Sequence, residues 1–258
     1  MKLVRYNDSN DEESIGIIRD DTIVKIDYSS IYEAYDDYCQ GNDLKELYEE
    51  DMDNIKYLTP TIPSKIICVG LNYKDHASEL KMKLPDEPLL FMKSSTSMIA
   101  HNDEIIYPEI SRQVDYEAEL AVVIMEDIKY NKFDENARWA YTILNDVTAR
   151  DLQQKDGQWT RAKNFDTFCP VGPCLAADID SSDLHIKLEV NGKIRQDSNT
   201  SNMIFSPRQL IEYISSIMTL NKGDVIATGT PPGVGQLQKN DTVSITIENI
   251  GTLENTIK

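Results

Sequence analysis

The segment Val114-Asp115-Tyr116-Glu117-Ala118-Glu119-Leu120 carries a carboxylate at every second position and runs on into Ala121-Val122-Val123-Ile124, an apolar stretch of strand length. Side chains two apart on a strand share a face, so Asp115, Glu117 and Glu119 should line one side. Carboxylates one pleat apart repel unless water or a cation lies between them, and an unpaired buried carboxylate neutralises through a raised pKa. A solvated strand face in an acidic protein has the same alternation, so spacing alone leaves cation binding and solvation both open. A further carboxylate, Asp146, ends the apolar run from Tyr141 and is followed by Arg150 and Gln153. Arg and Gln at helical spacing suit a planar anion such as a carboxylate. An ordinary strand–helix junction capped by Asp146 or Asp151 reads the same way. His76 and Glu79 stand three apart, neighbours on a helix, where the carboxylate can fix the imidazole tautomer and make it a general base. A plain surface pair has this spacing too; His101 and His185 show no such partner. Lys163, among Trp159, Phe165 and Phe168, is either snorkelling or an electrostatic catalyst. The loop Gly229-Thr230-Pro231-Pro232-Gly233-Val234-Gly235 has no lysine after its glycines and opens no helix, which excludes a nucleotide P-loop. Its backbone N–H groups and Thr230 still suit an anion.

Positioning these groups requires mostly strands. Ser64 to Val69, Leu89 to Met92, Glu104 to Tyr107, Val225 to Thr228 and Val243 to Ile247 read as strands. Leu184 to Val190, Asn191-Gly192 and Lys193 to Arg195 read as a hairpin with a type I′ turn. Residues 72–80 have helical potential, as do Glu135 to Trp139. Ser206-Pro207 caps and opens a helix whose apolar face is Leu210, Ile211, Ile214, Ile217 and Met218. Nearer the amino terminus, Ser14 to Ile18 and Thr22 to Ile26 alternate as strands, and a helical stretch from about Ser30 to Met52 is interrupted at Gly41-Asn42. Residues 1–60 hold 16 Asp and Glu against 6 Lys and Arg. With Pro60 and Pro63 as punctuation, they read as a small acidic domain, residues 1–60, ahead of a larger one, residues 64–258.

The net charge of −18 over 258 residues argues against nucleic-acid and anionic-membrane partners, which need a basic footprint. No apolar run is long enough to cross a membrane, and Met1-Lys2-Leu3-Val4-Arg5 has no signal-peptide core. Cys39, Cys68, Cys169 and Cys174 form no Cys-x-x-Cys pair and read as reduced packing residues. These features predict a soluble, cytoplasmic protein.

Six segments in order resemble the fumarylacetoacetate hydrolase family, from about Lys65 to Asn255: Val69 to Glu79, Val114 to Leu120, Asn145 to Gln153, Lys163 to Pro173, Asn191 to Met203, and Gly223 to Gly235. The resemblance implies a mainly β fold with some helix (α+β): a mixed β-sandwich roll of the family's C-terminal type, with a small N-terminal α+β domain, paired as a homodimer. It implies Mg²⁺, or Mn²⁺, held by Glu117, Glu119 and Asp146, in keeping with the preference of hard cations for oxygen ligands. It makes His76 and Glu79 a general-base dyad on a lid, Lys163 a catalytic cation, and Arg150, Gln153 and Thr230 contacts for a small keto acid. The implied activity is hydrolysis of a C–C bond in an acylpyruvate or related β-diketo acid through a metal-bound pyruvyl enolate. Oxaloacetate decarboxylation, or isomerisation or decarboxylation of a 2-hydroxyhepta-2,4-diene-1,7-dioate, would use the same enolate. Two departures stand out: Lys239-Asn240-Asp241 in place of a Gly-Asp turn, and Asn164 where serine is common.

Overall fold

The strand Ala118–Ile124 is buried on both faces, and the chain is layered around it. Leu120, Val122 and Ile124 enter one core, while Ala121, Val123 and the following Met125 enter another. A strand covered on both sides must be apolar throughout, which is why this run shows no alternation beyond Glu119. Each Val, Leu or Ile so buried contributes about 1.5–3 kcal/mol relative to exposure. The computed structural model describes residues 1–258.

Ala118–Ile124 pairs antiparallel with Trp139–Asn145 on one side and Val225–Ala227 on the other. Beyond the first neighbour the sheet continues through Cys169–Ala176, Lys2–Asn7, Glu13–Arg19 and Thr22–Ile26 to Glu46–Asp51. Beyond the second it runs through Ile66–Val69 to Leu90–Lys93, and the Val225–Ala227 to Ile66–Val69 pairing is parallel, so the sheet is mixed. A five-stranded sheet, centred on His185–Val190 and Thr242–Ile247, covers one face, where Ile186, Leu188 and Ile245 share a core with Leu120 and Val122. The helix Ile31–Cys39 covers the other, setting Ile31, Ala34 and Tyr35 against Ala121 and Val123. The result is the mainly β, mixed sandwich architecture expected from the sequence.

Several local expectations change. Residues Glu46–Asp51 form an edge strand on Thr22–Ile26, not the second half of a helix. Leu and Glu favour helices, but pairing overrides propensity here, and exposed acidic side chains suit an edge. Glu135 to Trp139 is a turn closed by the Asp134 side chain on the Asn136 N–H (2.7 Å), and Trp139 already begins a strand. The helix Pro207–Ser215 has the capping box of Ser206 and Gln209 but stops before Ile217, which is exposed. At the hairpin, φ is positive at both Asn191 (52°) and Gly192 (71°), as a type I′ turn requires. Cys68, Cys169 and Cys174 are buried packing residues, whereas Cys39 is exposed. Both remaining histidines have partners after all: His185 pairs with Asp197 (2.7 Å) at the surface, and His101 Nδ1 accepts from the Glu254 N–H (3.0 Å). The residues before Pro60 are tied to the rest by Lys2–Asn7 pairing with Cys169–Ala176 and by Arg138 on Asp36 (2.9 Å).

Candidate active site

At Glu117 the chain leaves one sheet for another. Val114–Tyr116 belongs to a three-stranded ribbon with Thr148–Ala149 and Gly235–Gln236, whereas Ala118–Ile124 belongs to the large sheet. Between them the Glu117 N–H donates to Asn145 Oδ1 (3.0 Å), and the Glu117 carbonyl accepts from the Asp146 N–H (2.9 Å). A side-chain amide thus replaces a ladder bond and laces the two carboxylate-bearing segments together. Oxygens of Glu117, Glu119 and Asp146 lie within 4.8 Å of one another, and all three residues are buried. A solvated face is excluded.

Three cations answer these carboxylates. Lys163 Nζ bridges Glu117 Oε2 (2.9 Å) and Asp146 Oδ2 (2.6 Å). Lys93 Nζ, wholly buried, donates to Asp146 Oδ1 (2.6 Å) and to the Val147 carbonyl (3.1 Å). Arg150 spans Asp115 (2.8 Å) and Glu117. Glu119 receives only the Gly229 N–H (2.7 Å), which the backbone can aim inward because Gly229 adopts φ +97°. The carboxyl groups therefore diverge. Burial raises the Glu117 pKa, but the Lys163 and Arg150 charges outweigh it and hold the group at about 2. Burial pushes Glu119 well above the ordinary range, reinforced by the charges on Asp146 and Glu117. Lys163 is held above its ordinary value because Asp146 and Glu117 outweigh its own burial.

Four buried carboxylates, counting Asp115, face three cations, which leaves Glu119 without a cationic partner of its own. Each carboxylate oxygen has lone pairs beyond those its hydrogen bonds use. An all-oxygen set of this kind fits a divalent hard cation. Nearby, the buried Tyr73 hydroxyl has no hydrogen-bond partner, and its pKa is raised by burial and then by the Glu119 charge. Polar space therefore adjoins the cluster.

A cavity of about 500 Å³ opens above Glu117 and Lys163. His76, Glu79, Arg150, Gln153 and Thr230 all line it, so the structure brings every sequence-predicted site residue to one place, with Glu119 and Asp146 beneath. A larger hollow of about 760 Å³ lies beyond Leu89, Phe91 and Trp159 but contains no carboxylate cluster, so the chemistry belongs to the smaller one. His76 and Glu79 sit on the helix Lys74–Glu79, with His76 Nδ1 2.9 Å from Glu79 Oε2. With Nδ1–H donating to the carboxylate, Nε2 keeps a lone pair for the cavity. Asp75 anchors this helix, accepting from Ser198 Oγ (2.7 Å) and Asn202 Nδ2 (3.3 Å). Arg150 Nη1 donates to Gln153 Oε1 (2.7 Å), which leaves the Gln153 amide N–H groups as the donors available to a ligand. Asn164, the departure noted above, binds the Ser94 N–H and steadies the Lys93–Ser94 segment. Two contributors escaped the sequence reading: Lys93, just past the strand read as Leu89 to Met92, and Gln196, on a hairpin strand. Only their tertiary partners mark them.

Buried carboxylates that could hold a divalent cation lie beneath a pocket with a His–Glu pair, on a mixed β roll. Residues 65–258 match the family of the fumarylacetoacetate (FAA) hydrolase C-terminal domain, and the chain belongs to that family. It is 59% identical over 212 residues to a protein of Archaeoglobus fulgidus of unassigned function, covering 81% of this chain and 84% of that one. It is 42% identical over 217 residues to the mitochondrial oxaloacetate tautomerase Fahd2a of Rattus norvegicus, covering 79% and 69% of the two chains. The solved structure of 5-carboxymethyl-2-hydroxymuconate delta-isomerase from Mycobacterium smegmatis superposes with a TM-score of 0.86 at 38% identity, over 100% of this chain and 99% of that one. No helix is long and apolar enough to cross a membrane.

Proposed function

We propose that this chain catalyses proton transfer on a small 2-oxo acid, interconverting keto and enol forms, with oxaloacetate-type diacids as the substrate class. The observation that carries this reading is His76 Nε2, free of protein partners, on an imidazole that is held by Glu79 at Nδ1 and lines the cavity. Glu117, Glu119 and Asp146 would hold a divalent ion such as Mg²⁺, which would supply positive charge where negative charge develops on the substrate oxygen. Thr230 and Gln153 donate to the carboxylate of the substrate. Lys163, kept protonated by Glu117 and Asp146, is a fixed cation and not a base. Arg150 is committed to Asp115 and Glu117, so it orders the floor of the pocket. His76 Nε2 takes a proton from the carbon next to the keto group and returns one to the enolate oxygen, or the reverse, with no net loss of atoms. Leu80, Met82, Leu89 and Trp159 line the mouth and limit water.

Hydrolysis of an acylpyruvate is the second reading. It is favoured by Glu79, whose side chain is 45% exposed, so that water can reach the dyad and lose a proton to His76. Weighing against it, Leu71, Phe91 and Val234 add further apolar lining, a poor place for the oxyanion of a tetrahedral intermediate. The Mg²⁺-loaded protein should be given enol-oxaloacetate, acetylpyruvate, fumarylpyruvate and 2-hydroxyhepta-2,4-diene-1,7-dioate, with products identified for each. Accelerated loss of enol absorbance without pyruvate or CO₂ is the expected result. Pyruvate plus a free acid from the diketo acids would replace this reading with hydrolysis, and CO₂ from oxaloacetate would replace it with decarboxylation.

A further inference from the structure

Gln196 is wholly buried, and three hydrogen bonds decide which way its amide faces. The Ala118 N–H, which can only donate, meets Oε1 at 2.9 Å. The Pro231 carbonyl, which can only accept, meets Nε2 at 2.7 Å. The same Nε2 lies 2.8 Å from Thr230 Oγ1. The amide orientation thus follows from its partners, and Thr230 Oγ1 must be an acceptor in this contact. The hydroxyl has one hydrogen of its own, no protein group accepts it, and Thr230 lines the cavity.

A bulge delivers Gln196 to this position. Leu188 pairs with Gln196 and Glu189 with Ile194, so Arg195 is an extra residue on its strand. The Thr230 loop rests on that bulge: a Cβ at Gly233 would come within 2.2 Å of the Arg195 carbonyl. One side chain therefore joins the metal-carboxylate strand at Ala118 to the loop bearing Thr230.

We infer that Gln196 is a positioning residue that fixes Thr230 as a hydrogen-bond donor to an anionic oxygen of the ligand. Building on the 2-oxo acid reading above, this leaves the Thr230 hydrogen available to an acceptor oxygen of the ligand at that point.

The test is calorimetric titration of Mg²⁺, and then of oxalate, a planar dianion, into the full-length protein and its variants. Thr230→Val and Gln196→Met should each weaken oxalate about tenfold or more, the scale of one hydrogen bond to a charged group, with Mg²⁺ affinity unchanged. The double variant should bind oxalate no more weakly than Thr230→Val, because Gln196 acts through that hydroxyl. Additive losses, or a Gln196→Met protein that loses Mg²⁺ affinity, would overturn the inference and make Gln196 a structural brace. If Gln196→Met does not fold, Thr230→Ser against Thr230→Val decides: serine keeps the donor and should bind like wild type, and equal affinities in both overturn the inference. Wild-type protein that binds neither Mg²⁺ nor oxalate would instead refute the proposed function.

Discussion

Replacing Glu119 by Gln should stabilise the metal-free protein. Glu119 shares its surroundings with Glu117 and Asp146, whose oxygens lie no more than 4.8 Å away. Two like charges at that separation repel by about 3.5 kcal/mol at an effective dielectric constant near 20. Glu119 meets two such neighbours, and Lys163 offsets roughly one of them, so a net penalty of about 3 kcal/mol remains before desolvation. Gln keeps the shape, and its amide oxygen can still accept the Gly229 N–H, but it carries no charge. Near neutral pH in EDTA, Glu119→Gln should therefore melt about 6 °C above wild type, at about 2 °C per kcal/mol for a chain of this length. The pH dependence has a definite sign. An acid whose folded pKa is raised loses stability as pH climbs above its unfolded value. The advantage of the variant should grow with pH and vanish below about pH 4, where Glu119 is protonated in the folded and the unfolded chain alike. Mg²⁺ should reverse the order: at about 1,000 times its Kd, wild type gains about 4.1 kcal/mol, more than the penalty, and the variant, lacking a ligand, gains little. Differential scanning calorimetry across pH, with EDTA and with Mg²⁺, checks each step. A variant that melts below wild type in EDTA at neutral pH would refute the argument, because Glu119 would then be stabilised by something other than a bound cation.

Lys93→Met should cost about 3–5 kcal/mol of metal-free stability by leaving Asp146 short of a buried partner; a melting temperature within a degree of wild type would show that Asp146 does not depend on this lysine. His76→Ala should lower turnover of enol-oxaloacetate by about 10²- to 10⁴-fold with Mg²⁺ affinity intact, and full activity would remove the dyad from the mechanism. In the folded protein, a thiol reagent should label only Cys39, since Cys68, Cys169 and Cys174 are buried and burial raises their pKa values, for Cys169 and Cys174 to about 12. Prompt labelling of a second cysteine would mean that the core opens.

The strands around the site were legible because their signals are local. Apolar run length marked Ala118–Ile124, Asn191-Gly192 marked its hairpin, and Ser206-Pro207 marked a helix start. Glu46–Asp51 was not legible, since an acidic edge strand and a helix differ only in what lies alongside. The spacing of Glu117 with Glu119, and of His76 with Glu79, named the chemistry but could not separate a site from a solvated face. That decision belonged to burial and to partners remote in sequence. Lys93 reaches Asp146 across 53 residues, and Gln196 reaches Ala118 across 78. By itself, the sequence determined the strand pattern, the acidic character and the residue types available for catalysis. Only the tertiary structure decided which charges face one another in a dry interior, because the energy of a charge depends on its distance and its solvent, and neither is a property of neighbours along the chain.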